Sequence, residues 1–140
     1  MVAMQKILVA YDGSDPAKRA FEIGLDLAEK YNAVLTVLSV ATPPDPPELV
    51  DAKAVLENAK EYYDKQFNKL RSQAKDQPVK VDFAVKVGHP AEQIIRFAGD
   101  NAVDLIVMGH RGRSMVVSWL LGSISKRVLS YAPCGVYIVR

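Results

Sequence analysis

Residues 105–125 read LIVMGHRGRSMVVSWLLGSIS. The run Leu105-Ile106-Val107-Met108 is short, wholly apolar and stopped by a glycine, the pattern of a strand buried on both faces. Gly109-His110-Arg111-Gly112 follows as a loop, and Gly122 precedes Ser123-Ile124-Ser125, where a helix is predicted to run to about Tyr131. Such strands lie parallel to their neighbours, because only a crossover helix returns the chain to begin the next one.

The same alternation extends in both directions. Ile7-Leu8-Val9-Ala10 is a first strand, stopped by Asp12-Gly13. Asp15 followed by Pro16 reads as an N-cap and first-turn pair, since proline lacks the N–H that a helix start leaves unpaired. Ala17, Ala20, Phe21, Leu25, Ala28 and Tyr31 recur at helical spacing, Asn32 ends that helix, and Val34 to Val40 is a buried second strand. Thr42 to Pro47 holds four prolines in six positions, which stops both helix and central strand. A long polar helix is predicted from about Glu48 to Lys75, with Val55, Tyr62, Phe67 and Leu70 among its apolar positions. Val79 to Val87 alternates with Lys80, Asp82 and Lys86 as a half-exposed edge strand. Pro90 opens a third helix carrying Ile94, Ile95 and Ala98, and Val136 to Val139 is the last strand. This βαβαβαβαβ order predicts an α/β fold: a single doubly wound, five-stranded parallel sheet, Rossmann-like, with strand order 3-2-1-4-5 and helices on both faces.

With 140 residues, 49% hydrophobic and 24% charged, the chain fits one domain spanning residues 1–140 and is too apolar for disorder. Cys134 is the single cysteine, so no intrachain disulfide forms and a reducing compartment is expected. No apolar run approaches membrane-spanning length, and MVAMQKILVA lacks the apolar core of a signal peptide, so a cytoplasmic protein without a membrane partner is expected. A net charge of +2 is too small for a broad nucleic-acid surface. Its placement is uneven. After Asp104 there are no acidic residues, while Arg111, Arg113, Lys126, Arg127 and Arg140 are basic. Removing those five from the 18 basic residues leaves 13 against 16 acidic, so a positive end sits on a slightly acidic body.

Ligands of open α/β sheets bind beyond the carboxyl ends of the strands where strand order reverses. Strands one and four meet there, placing Asp12-Gly13-Ser14 opposite Gly109-His110-Arg111-Gly112, with Val40 as an apolar wall. Gly109 and Gly112 could take positive φ and let backbone N–H groups reach an anion, and the helix start at Ser123 to Ser125 favours phosphate, with Ser123 and Ser125 hydroxyls as donors. Each residue taken singly reads as a turn or a cap; together they point to a nucleotide. No G-x-x-x-x-G-K-[ST] and no G-x-G-x-x-G after a strand is present, and Tyr11-Asp12 and Val87-Gly88 lack the acids of a phospho-accepting receiver.

These residues resemble the universal stress protein family in its ATP-binding branch, whose signature is glycine, two residues, glycine, nine residues, glycine, then serine or threonine. Gly109, Gly112, Gly122 and Ser123 match that spacing. Ile7 to Ser14, Gly88-His89-Pro90-Ala91, Asp104 to Gly109, Leu120 to Ser123 and Ala132-Pro133-Cys134 are similar to the same family, in family order. The resemblance implies ATP in the crevice. Ala10 and Val40 would line the adenine, with Asp12 on the ribose or adenine side. The stretch Met108, Gly109, His110, Arg111, Gly112, Arg113, Ser114 and Met115 would wrap the ribose and phosphates. Gly122, Ser123, Ile124 and Ser125 would hold the phosphate chain. It also implies a homodimer through Val136–Val139, an apolar edge strand that pairing would protect. Departures from the family are Arg111 where many members have histidine, Gly135 where proline is frequent, and Ala10 where some have proline.

Catalysis has little support in the residues: Asp12 is the one acid placed in the crevice, and there is no P-loop lysine. His110 reads as a phosphate or solvent contact, His89 as a neighbour of the Pro90 helix start, Cys134 as buried, and Trp119 with Val116, Val117, Leu120 and Leu121 as packing for the loop. The expectation is a nucleotide-responsive binding module of the stress response; the alternatives are a slow ATPase using Mg²⁺ and a dimer scaffold without nucleotide.

Overall fold

Strands and helices alternate through the computed structural model, which describes residues 3–43, 51–112 and 120–140. The elements are β1 (Lys6–Ala10), α1 (Asp15–Tyr31), β2 (Val34–Ala41), α2 (Ala52–Ala74), β3 (Val81–Val87), α3 (Pro90–Asp100), β4 (Leu105–Gly109), α4 (Ser123–Tyr131) and β5 (Gly135–Val139). All strand pairs are parallel, as the alternation of elements predicts, and the order is β3-β2-β1-β4-β5, as expected.

The central strand explains the packing. Side chains of β1 alternate in direction. Ile7 and Val9 face a core built with Phe21 and Leu25 of α1 and Phe67 and Leu70 of α2. Leu8 faces the other core, with Ile94 and Ala98 of α3 and Val128 of α4. Both layers are dry: Leu8, Val9, Phe21, Leu35, Val37, Ile106, Val107 and Val128 are fully buried. Burial of side chains this size stabilises the fold by about 1.5–3 kcal/mol each. Helix α1 sits close to β1 because Gly24 has no side chain; a Cβ there would stand 2.6 Å from Val9 Cγ2.

The helix ends refine the sequence expectations. The cap of α1 is Ser14, whose hydroxyl accepts from the Ala17 N–H at 3.2 Å, so Asp15 lies inside the first turn with Pro16. Ser14 has the extended backbone that a cap requires, and Asp15 does not. Asn32 ends the helix in the left-handed region (φ 54°). Helix α2 begins at Ala52, because Asp51 caps it by accepting from the Lys53 N–H at 3.0 Å. The expected start at Glu48 and the prolines at 44, 46 and 47 lie outside the described residues. Strand β3 starts two residues later than expected: the Val79 N–H donates back to the Gln77 carbonyl in a tight turn, and the ladder opens with Lys80 O accepting from Leu35 N–H. It is the outermost strand and half exposed, as its alternation predicts. Among the described residues no helix is long and apolar enough to cross a membrane.

Candidate functional site

Strands β1 and β4 are neighbours where the sheet order reverses, and the helices that follow them, α1 and α4, pack on opposite faces. Their exits therefore splay apart and open a crevice at the carboxyl edge of the sheet. A cavity of about 260 Å³ fills it. Its apolar end is made by Ala10, Leu38, Val40 and Met108 from three strand ends, closed by Pro90 and Ile94 of α3. Its polar end is made by Asp12, Ser14, Arg111, Gly112 and Ser125, with Ile124 and Ala17 beside them and Tyr11 contributing below.

On the β1 side nearly every polar group has an internal partner. Asp12 Oδ1 accepts from the Ser14 N–H at 2.9 Å, and Ser14 in turn caps α1. The Tyr11 N–H donates to Leu38 O at 2.9 Å, and the buried Ser39 hydroxyl donates to Tyr11 O at 2.7 Å. Burial, followed by the charge of Asp12, raises the pKa of the Tyr11 hydroxyl above its ordinary 10.0, so it stays neutral. Gly13 turns the chain with φ +82°, a conformation that favours glycine.

On the β4 side the backbone is fixed from behind and left open in front. The His110 N–H donates to Val139 O at 2.7 Å, and the His110 Nδ1 stands 3.2 Å from the same oxygen. The Gly122 N–H donates to His110 O at 2.7 Å, and the buried Ser125 hydroxyl donates to Gly109 O at 2.8 Å. Helix α4 makes its first internal bond from the Lys126 N–H to Gly122 O, and no side chain among the described residues caps it. The N–H groups of Ser123, Ile124 and Ser125 thus precede the first intrahelical bond, where the helix dipole is positive. Beside them Arg111 lines the cavity, and its Nε is buried with no hydrogen-bond partner among the described residues.

Of the residues singled out in the sequence, the structure gathers Ala10, Asp12, Val40, Met108, Gly109, Arg111, Gly112, Ile124 and Ser125 around one cavity. Gly122 and Ser123 do not line it. His110 does not line it: it is 6% exposed and turned toward the end of β5, because its loop is stitched to Val139. Gly109 and Gly112 do not adopt positive φ. They are needed for closeness instead: a Cβ on Gly109 would stand 2.7 Å from Pro16 Cβ, and one on Gly112 would stand 2.9 Å from Asp12 Oδ2. The glycines let the two loops approach one another. The Ser125 hydroxyl donates its hydrogen bond to Gly109 O, so it meets a ligand as an acceptor or through its backbone N–H. Cys134 is partly exposed rather than buried, with its thiol pKa raised by partial burial and then by Asp104. Arg113, Ser114, Met115, Val116, Val117 and Trp119 lie outside the described residues.

Sequence reasoning placed Ser14 at the crevice as part of the Asp12-Gly13-Ser14 exit, and did not single out Tyr11, Ala17, Leu38, Pro90 and Ile94 as lining residues. Ala17 follows from the α1 cap, once Ser14 rather than Asp15 is seen to hold it. Pro90 and Ile94 come from α3, which reaches the cavity only through the tertiary fold. Among the described residues no three or more His, Cys, Asp or Glu side chains group closely enough to hold a metal ion.

A sequence model of the universal stress protein family matches residues 4–140. A universal stress protein of Thermus aquaticus, from the QAH/OAS sulfhydrylase 3′ region, is 39% identical over 136 residues, covering 96% of this chain and 97% of the relative. The fold is similar to that of the universal stress protein UspA from Lactobacillus plantarum, with a TM-score of 0.84, 28% identity and full coverage of both chains. It is also similar to a universal stress protein solved in complex with cAMP, with a TM-score of 0.77, 27% identity and 99% coverage of each chain.

Proposed function

Since the chain belongs to the universal stress protein family, we propose that its crevice binds ATP, and that it acts as a dimeric, nucleotide-responsive module rather than as a dedicated catalyst. The observation that carries this reading is the polar end of the cavity. A helix start without a side-chain cap and a buried guanidinium N–H without a partner, both among the described residues, stand beside each other there. The buried donor left unsatisfied costs about 1–3 kcal/mol, and the exposed helix start carries open N–H groups beside it. A phosphate oxygen drawn to the cavity wall would engage both. The apolar end, between Ala10, Leu38, Val40 and Met108, suits a flat base, and Asp12 at the junction suits ribose hydroxyls. A volume of about 260 Å³ accommodates the nucleoside and leaves the phosphates to run along Gly109–Gly112 toward the start of α4. A similar protein solved with cAMP supports a nucleotide as the class of ligand.

If Mg²⁺ accompanies the phosphates, Asp12 is the described carboxylate that lines the cavity and would face it. Dimerisation would use β5, whose outer edge has no strand partner among the described residues, with Tyr137 44% exposed and Leu129 and Tyr131 exposed beside it.

The test is to denature freshly purified protein, identify any small molecule released, and then titrate the emptied chain calorimetrically with ATP, AMP, cAMP and adenosine. ATP recovered from the protein, and binding ATP more tightly than adenosine, support the reading. Equal affinity for ATP and adenosine removes the phosphate role of the β4 side, and no heat with any of the four at several temperatures overturns the reading. Metal-dependent phosphate release that disappears in Asp12→Asn would make the protein a slow ATPase instead. Sedimentation equilibrium showing a monomer at all concentrations would overturn the dimer.

A further inference from the structure

Away from the crevice, a second cavity of about 330 Å³ lies between α2 and the outer strand β3. Its floor is aromatic: Phe67 and Phe83 are tilted against each other with ring centroids 4.8 Å apart. Its walls carry Lys60, Arg71 and Lys86 against the single carboxylate Asp64. The ion pairs found among the described residues involve neither lysine. Arg71 is held over the Phe83 ring at 4.5 Å, with Nη1 donating to Asn68 Oδ1 at 2.7 Å, which fixes its remaining donors in place.

The backbone of β3 adds a directional feature. Lys80 O accepts from Leu35 N–H and Gly88 N–H donates to Ala41 O, so the even-numbered residues of β3 face β2. In a parallel ladder the alternate residues point the other way. The N–H and C=O groups of Phe83 and Val85 are therefore directed to the outer edge, where no strand of the described residues pairs with them. Lys80 and Lys86 flank this edge, with Asp82 exposed between them. Groove and edge together carry Lys60, Arg71, Lys80 and Lys86 against Asp64 and Asp82, a net basic surface that favours an acidic strand.

We propose that this groove is a docking site for an extended, acidic segment of a partner protein, added as a strand along β3 with an apolar side chain on the Phe67–Phe83 floor and carboxylates at Lys60, Arg71 and Lys86. Main-chain bonds to Phe83 and Val85 set its direction, and the cations select its charge.

The test is titration of the isotope-labelled full chain with two end-capped heptapeptides, EVEVEVE and KVKVKVK, followed by amide NMR. The acidic peptide is expected to shift Phe83, Val85 and the Lys60–Arg71 face of α2 while leaving Gly109 and Gly112 unmoved, and the basic peptide to shift neither. The double variant Lys60→Glu with Lys86→Glu, both exposed positions, is expected to weaken the acidic peptide at least about tenfold while keeping the circular dichroism spectrum and ATP titration of the parent. Equal binding of both peptides, shifts mapping elsewhere, or indifference to the charge reversal would overturn the proposal. Inorganic phosphate reproducing the same shifts and displacing the peptide would overturn it in favour of a small-anion site. Concentration-dependent shifts of β3 without peptide would overturn it in favour of pairing between copies.

Discussion

At the start of α1 the Ser14 hydroxyl accepts from Ala17 N–H while Asp12 accepts from Ser14 N–H, whereas among the described residues no side chain caps the start of α4 and the neighbouring Arg111 Nε has no partner. Both helices leave neighbouring strands at the same edge of the same sheet. They differ in whether the chain satisfies its own hydrogen bonds. The β1 side presents a positioned carboxylate whose neighbours are bonded within the chain; the β4 side leaves donors that the proposed phosphate chain would satisfy. This contrast supports the proposed orientation of the nucleotide more directly than a glycine pattern does, because buried donors are rarely left without a partner.

The largest expected effect tests the open side. In Gly122→Val the new Cβ would stand 3.3 Å from Arg111 Cα and 3.4 Å from His110 O, so the loop must shift and carry Arg111 with it. Affinity for ATP should fall about 100-fold by calorimetry, with a two-state thermal transition retained. An unchanged affinity would break the comparison at its centre. Arg111→Ala should lower ATP affinity by about 30-fold and adenosine affinity hardly at all. It should also raise the stability of the ligand-free protein by about 1 kcal/mol in urea unfolding, since an unsatisfied buried donor is removed. A loss of stability would mean that Arg111 belongs to the finished structure after all.

The closed side should respond the other way. Ser14→Ala removes the α1 cap and should cost about 1 kcal/mol of stability while changing ATP affinity less than threefold, roughly within the range of a lost cap. The smallest effect concerns Tyr11. Its hydroxyl pKa is raised above 10.0 in the folded chain, so the unfolded chain releases that proton first. Its contribution is fully present below about pH 10 and is lost as the pH rises through the folded value. Tyr11→Phe should flatten the fall of the melting temperature above pH 10 and leave it unchanged near neutrality.

The fold was legible because hydrophobic runs, breakers and length constrain a parallel sheet strongly: once Ile7–Ala10 and Leu105–Met108 are buried strands, the intervening helices must serve as right-handed crossovers. The site was only partly legible. Asp12, Gly109, Arg111 and Gly112 stand at strand ends, where sequence position alone predicts a crevice. Why the glycines are there was not legible, since the near contact of Gly109 with Pro16 joins residues far apart in the chain. His110 illustrates the same gap. A polar loop histidine reads as a ligand contact until the fold places the Val139 carbonyl behind it. Pro90 and Ile94 carry the signals of a helix start and a core position, and nothing local announces that they also close a cavity.

That carbonyl has a positional consequence. Val139 O receives the His110 main-chain donor and lies within reach of the same residue's ring, so the tip of the last strand and the root of the glycine loop meet at one carbonyl. A strand paired along the outer edge of β5, as proposed for the dimer, would therefore end beside the group that holds the root of that loop.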